Sequence, residues 1–141
     1  MPAPLRLLAL LCLPFLAGCQ TIQGIGLSFV YDDADLPDEN VRMNLPYVDG
    51  SLDDKHRLNL FLPLADSVRG KAWPTVVFVH GGGWTEGDRN FEFGGKDLYN
   101  NIGRFLADHG IGATTVSYRL LPGATLADQV ADVARATAQT R

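Results

Sequence analysis

Thr75-Val76-Val77-Phe78-Val79-His80-Gly81-Gly82-Gly83-Trp84 is the stretch whose reading decides the fold. Its first five residues are an apolar, mostly β-branched run, which reads as a short strand buried on both faces and favours a parallel sheet covered by helices. At His80 the character changes. Three glycines after a strand offer several backbone N–H groups to one point, and without Cβ atoms to block approach they can cradle a developing oxyanion. A simple turn seldom needs three glycines in succession.

The sequence on either side continues the pattern. Asp97 to His109 carries Leu98, Ile102, Phe105 and Leu106 at helical spacing, with His109 at the C-terminal dipole end and Gly110 as the stop. Ile111 to Ser117 is a β-branched strand, and Leu126 to Ala138 is a helix with Leu126, Val130, Val133 and Thr137 along one side. Upstream, Asn44 to Val48 reads as a first short strand, Asp49-Gly50 as a turn, and Arg57 to Leu62 as a second strand. Strands alternating with helices make an α/β domain with right-handed crossovers, spanning residues 44–141.

The N-terminus has another purpose. Arg6 precedes the apolar stretch Leu7 to Leu16, too short to span a bilayer and suited to a signal peptide over residues 1–18. Leu16-Ala17-Gly18-Cys19 follows and resembles the lipobox of bacterial lipoproteins, which implies cleavage before Cys19, acylation of its thiol, and a protein held on a membrane of the bacterial envelope. Cys12 leaves with the signal and Cys19 is blocked by lipid, so the mature chain has no intramolecular disulfide or cysteine-rich metal site. Residues 19–43 read as a tether and a solvated acidic linker containing Asp32, Asp33, Asp35, Asp38 and Glu39, without the ligand spacing of a calcium loop. The formal net charge of −4 argues against a nucleic-acid partner.

A nucleophile to accompany the glycines is missing from the sequence pattern. The four serines are Ser28, Ser51, Ser67 and Ser117, and none has glycine two residues away on both sides, as a G-x-S-x-G elbow requires.

Taken together, Arg57 to Pro63, His80-Gly81-Gly82-Gly83-Trp84, Gly87-Asp88 and Val116 to Leu120 resemble the N-terminal part of an α/β-hydrolase of the carboxylesterase and lipase type. The resemblance implies a mostly parallel sheet with flanking helices, in which the chain stops before the nucleophile strand. It also implies that the backbone N–H groups of Gly82 and Gly83 face a substrate oxygen, that His80 braces the loop with Gly81 and Trp84, and that no cofactor or metal is required. The triad of such enzymes runs serine, acid, histidine along the chain, so His56, His80 and His109 do not fill the catalytic histidine position. His56 reads as exposed, and Arg119 as a loop anchor through a carboxylate the sequence does not identify. The implied activity is hydrolysis of a small carboxylic ester, inactive in this chain by itself, with amide hydrolysis or a non-catalytic envelope lipoprotein as the other readings. Thr75 to Val79, central in such sheets, would expose an unpaired edge open to self-association.

Overall fold

The computed structural model describes residues 33–65 and 72–140. The signal segment, Cys19, Ser28, the start of the tether and Ser67 lie outside the described residues. The strands are β1 (Val41–Pro46), β2 (Arg57–Phe61), β3 (Thr75–Val79), β4 (Glu92–Phe93), β5 (Lys96–Asp97) and β6 (Gly112–Val116), with helices α1 (Leu98–Asp108) and α2 (Leu126–Gln139) before and after β6. Among the described residues, Glu92–Lys96 falls outside the main contact unit; β4 and β5 pair there through a turn at Gly94 and Gly95, both at positive φ.

The main sheet has the order β1-β2-β6-β3. β3 pairs with β6 in parallel, from Thr75 opposite Gly112 to Val79 opposite Val116. β2 pairs antiparallel with both β1 and β6, so the described sheet is mixed where a mostly parallel one was expected. The β1/β2 register slips between Arg42 and Leu45, where Asn44 takes φ +60, a conformation asparagine tolerates better than most residues.

β6 is buried along its whole length, and the period of two divides its side chains between two cores. One core joins Ala113 to Leu36, Val41, Phe61 and Ala107 of α1; the other joins Val116 to Tyr47, Leu58 and Ala136 of α2.

Both helices fall where their periodicity places them, and Asp97 and Thr125 cap their first turns. The buried faces differ from the apolar stripes of the sequence. In α1 the buried residues are Asn100, Asn101, Gly103 and Ala107, while Phe105 is 54% exposed. Gly103 explains the rotation, because the Phe61 ring occupies the space a Cβ there would need. In α2 the buried residues are Gln129, Asp132 and Ala136, with Leu126 and Val130 exposed. β3 also departs from expectation. Val76 and Val79 are about two-fifths exposed, because β3 is the edge strand of the described sheet and has only β6 beside it.

At the other end the folded part reaches back past residue 44. Leu36 is buried in the first core, the Ala34 N–H donates to Asn101 Oδ1, and Arg104 donates to the Leu36 carbonyl at 2.9 Å. The acidic run is therefore docked at its C-terminal part, and β1 starts at Val41.

Candidate active site

The glycine loop leaves the C-terminal end of β3 through His80, which is buried. Its ring stacks on Tyr118 with centroids 4.4 Å apart and planes 8° from parallel. Nδ1 lies 2.6 Å from the Gly81 carbonyl, which can only accept, so Nδ1 carries the proton. Burial pushes the imidazole below its ordinary pKa despite that hydrogen bond, so the ring is neutral at physiological pH. The Tyr118 hydroxyl donates back to the His80 carbonyl at 3.2 Å. Gly87 closes the far side, where any Cβ would meet the His80 ring and the Gly81 carbonyl.

Gly82, Gly83 and Trp84 take φ of +119°, +59° and +70° in succession. The Gly82 carbonyl is turned back onto the loop, where it accepts from the N–H groups of Thr85 (3.2 Å) and Glu86 (3.1 Å). A side chain at Gly82 would collide with the Glu86 backbone, whereas a Cβ at Gly83 would stand in open space. Among the described residues, no acceptor is hydrogen-bonded to the N–H of Gly82 or Gly83. Trp84 is in the left-handed region, which a bulky residue adopts only when its surroundings impose it. Its side chain is half exposed, and its carbonyl accepts from the Leu121 N–H at 3.0 Å and from Gln129 Nε2 at 2.9 Å. An open cleft of about 480 Å³ lies alongside, lined by Gly81, Gly82, Glu86, Asp88, Phe91 and Tyr99.

Two polar clusters hold the return of this loop. Arg89 is 3% exposed; its guanidinium donates to both Asp54 carboxylate oxygens, to Asn44 Oδ1 at the β1 bulge, and to Ser117 Oγ. Ser117 Oγ in turn accepts from the Arg89 N–H and donates to Asp88, whose carboxylate also pairs with Lys55 at 2.9 Å. The second cluster is amide: Asn59 Nδ2 donates to Asn90 and Asn100, and Asn100 Oδ1 also accepts from Thr115. Asn59, Asn100 and Thr115 are all buried. Neither Arg89 nor these asparagines was singled out in the sequence.

The carboxylate that anchors Arg119 is Asp132. Nε and Nη2 of Arg119 reach its two oxygens at 2.8 and 2.9 Å, and the Arg119 N–H adds a third bond. Asp132 is fully buried; burial alone would raise its pKa, but the Arg119 bonds outweigh this and hold it below the usual carboxylate range. His56, expected to be exposed, is largely enclosed. Its Nδ1 is 2.7 Å from Ser51 Oγ, its Nε2 is 3.5 Å from Asp132, and its ring meets Tyr47 edge-on.

Ser51, His56 and Asp132 thus have the composition of a catalytic triad without its arrangement. The Asp132 oxygens are taken by Arg119, and Ser51 sits in the turn before β2 rather than at the end of a strand. Ser117 is fully buried and bonded on every side. His109 caps α1, its Nδ1 2.8 Å from the Phe105 carbonyl.

Residues 58–139, more than half of the chain, from the second residue of β2 to the end of α2, match the BD-FAE family model. The chain belongs to the BD-FAE family. This is an α/β-hydrolase-type esterase family, and the matched span holds the glycine loop, Arg89, Gln129 and Asp132 together. Among solved structures, the BD-FAE chain resembles esterase B from Lactobacillus rhamnosis at 30% identity and a TM-score of 0.56, covering 92% of this chain and 38% of that one. A tributyrin phosphonate-inhibited form of the same esterase matches at 28% identity and a TM-score of 0.57, covering 96% and 39%. A putative thioesterase from Silicibacter sp. shares the fold at 22% identity and a TM-score of 0.53, covering 87% and 39%. The chain therefore spans about two-fifths of the length of these structures. No curated protein matches it.

Proposed function

We propose that this BD-FAE chain supplies the oxyanion side of a serine esterase acting on small carboxylic esters through an acyl-enzyme. The observation that carries the reading is the loop itself: Gly82 and Gly83 have unengaged N–H groups just past the end of a parallel strand, and Gly82 lines an open cleft. Such donors stabilise the tetrahedral oxyanion formed when a serine attacks the ester carbonyl. His80 is buried, its Nδ1 is committed to Gly81 and its Nε2 has no hydrogen-bond partner among the described residues, so it shapes the loop and is paired with no nucleophile there. Ser51 and Ser117 have structural roles, so the reading places the nucleophile outside the described residues and makes this chain inactive without it. The tributyrin phosphonate that inhibits esterase B supports the substrate class.

A fluorophosphonate probe tests this. A full-length protein, one that carries the nucleophile as well as this chain, is expected to be labelled at a serine that lies within a G-x-S-x-G sequence and to lose ester hydrolysis in proportion. A stretch ending at Arg141 is expected to stay unlabelled. Label on Ser51 would overturn the reading and make its pairing with His56 catalytic.

The sequence supports acylation at Cys19 and residence on an envelope membrane. Among the described residues no helix is long and apolar enough to cross a membrane. Metabolic incorporation of a labelled fatty acid should be lost in Cys19→Ser, and retention would refute the anchor. The open edge of β3 supports pairing with another strand, either in a longer chain or in a second copy; concentration-dependent sedimentation distinguishes the second case.

A further inference from the structure

The loop that carries Gly83 is anchored on both sides of it. Before it, the Gly82 carbonyl is fixed by Thr85 and Glu86; after it, the Trp84 carbonyl is fixed by Leu121 and by the side chain of Gln129. Gln129 comes from a different element, 45 residues on, and is 1% exposed. Its place is set firmly. The Thr125 and Asp128 side chains form a reciprocal capping box that starts α2, and Asp132, one turn beyond Gln129, is locked to Arg119.

Packing does not account for a glutamine here. The pocket around it is apolar, with Val79, Trp84, Tyr118, Val130 and Val133, and among the described residues Gln129 Oε1 is buried without a hydrogen-bond partner. A leucine would fill comparable space without an unsatisfied acceptor. What a leucine lacks is the donor to Trp84. We propose that Gln129 is a positioning residue for the oxyanion donors, holding Trp84 in its left-handed conformation and thereby fixing the aim of the Gly83 N–H. The proposal rests on the reading of Gly82 and Gly83 as those donors.

Amide hydrogen exchange of the full-length protein, followed by mass spectrometry, tests it without requiring turnover. Gln129→Leu is expected to lower protection of the Thr85 and Glu86 amides, which bond to the Gly82 carbonyl, about tenfold, the factor one ordinary hydrogen bond supplies, and to leave the middle of α2 unchanged. Gln129→Glu supplies the pH readout. As a neutral acid its carboxyl donates to the Trp84 carbonyl; as a carboxylate it only accepts. Its loop protection, corrected for intrinsic exchange, should approach the parent at acid pH and fall to that of Gln129→Leu at alkaline pH. Unchanged protection in both variants at every pH would overturn the proposal. So would equal loss across α2 and the loop, or failure of both variants to fold, since either marks a merely structural role. In the same protein with an activated short-chain ester, Gln129→Leu should lower kcat more than it changes KM. A parent that carries the nucleophile and shows no hydrolysis would refute the esterase reading and leave the exchange result standing; a parent with hydrolysis and unchanged kcat in Gln129→Leu would refute the positioning role alone.

Discussion

Replacing Gly83 with proline, in a protein that also carries the nucleophile, is expected to lower kcat by about 10²–10³-fold, the usual consequence of losing one oxyanion donor. The loss should fall on kcat more than on KM, because the donor acts on charge that develops only in the transition state. Proline changes two things at once. It removes the N–H, and its ring fixes φ near −65°, whereas Gly83 sits at +59°. Alanine separates the two. Its Cβ would meet nothing at this position and its N–H remains, so Gly83→Ala carries only the conformational cost of the left-handed region, about 1–2 kcal/mol. A folded Gly83→Ala variant that keeps most of the activity, beside a folded Gly83→Pro variant that loses it, would identify the donor. Equal rates in parent and Gly83→Pro would reduce this glycine to a turn residue. Gly82 admits no such separation, since any side chain there meets the Glu86 backbone.

The largest effect on stability is expected at Arg119. Breaking a buried ion pair from one side typically costs about 3–5 kcal/mol, because the other charge is left without its partner in a dry site. Asp132 has no exposed surface, but Arg119 is itself 30% exposed and Arg135 lies 3.3 Å from Oδ1, so water at the vacated site and Arg135 would take up part of the charge. Arg119→Ala should therefore lose about 3 kcal/mol, a large share of the 5–15 kcal/mol that holds a domain together. Urea denaturation of the full-length protein measures it. Arg119→Met with Asp132→Leu should recover much of the loss, since exchanging both partners for apolar groups removes the stranded charge. A double variant no better than Arg119→Ala would mean that the pair specifies the geometry of the β6 exit. Acid acts in the same direction. Asp132 is held below its ordinary pKa in the folded state, so its contribution is complete above the carboxylate range and is lost as pH falls through its lowered value.

The glycine loop, β3 and the limits of both helices were legible because each is encoded within a few consecutive residues. A β-branched run, a glycine triplet, a capping aspartate and a terminal glycine need no distant partner. The buried faces of the helices were not legible. Periodicity assumes that apolar residues face inward, yet α1 buries Asn100 against Asn59 and Thr115, and α2 buries Gln129 and Asp132 against Trp84 and Arg119. A polar residue is buried only where a remote group satisfies it, and single-sequence patterns carry no information about that group. Arg89 is the extreme instance, an arginine in a polar loop whose partners lie 28 to 45 residues away. The Thr125 and Asp128 capping box is a local signal for the same start of α2 that the periodicity marks.

The reach of Arg89 has a bearing on how such a site can be engineered or acquired. Its guanidinium closes only when the β1 bulge has delivered Asn44, the turn at Asp54–His56 has delivered Asp54, and the end of β6 has delivered Ser117. Residues 80–90 transplanted onto another parallel strand would bring the glycines but leave behind the three clasps that curve them. A borrowed glycine loop of this kind is portable only together with its surrounding sheet, so the smallest unit that can be exchanged between scaffolds is not the motif but the framework from Asn44 to Asp132.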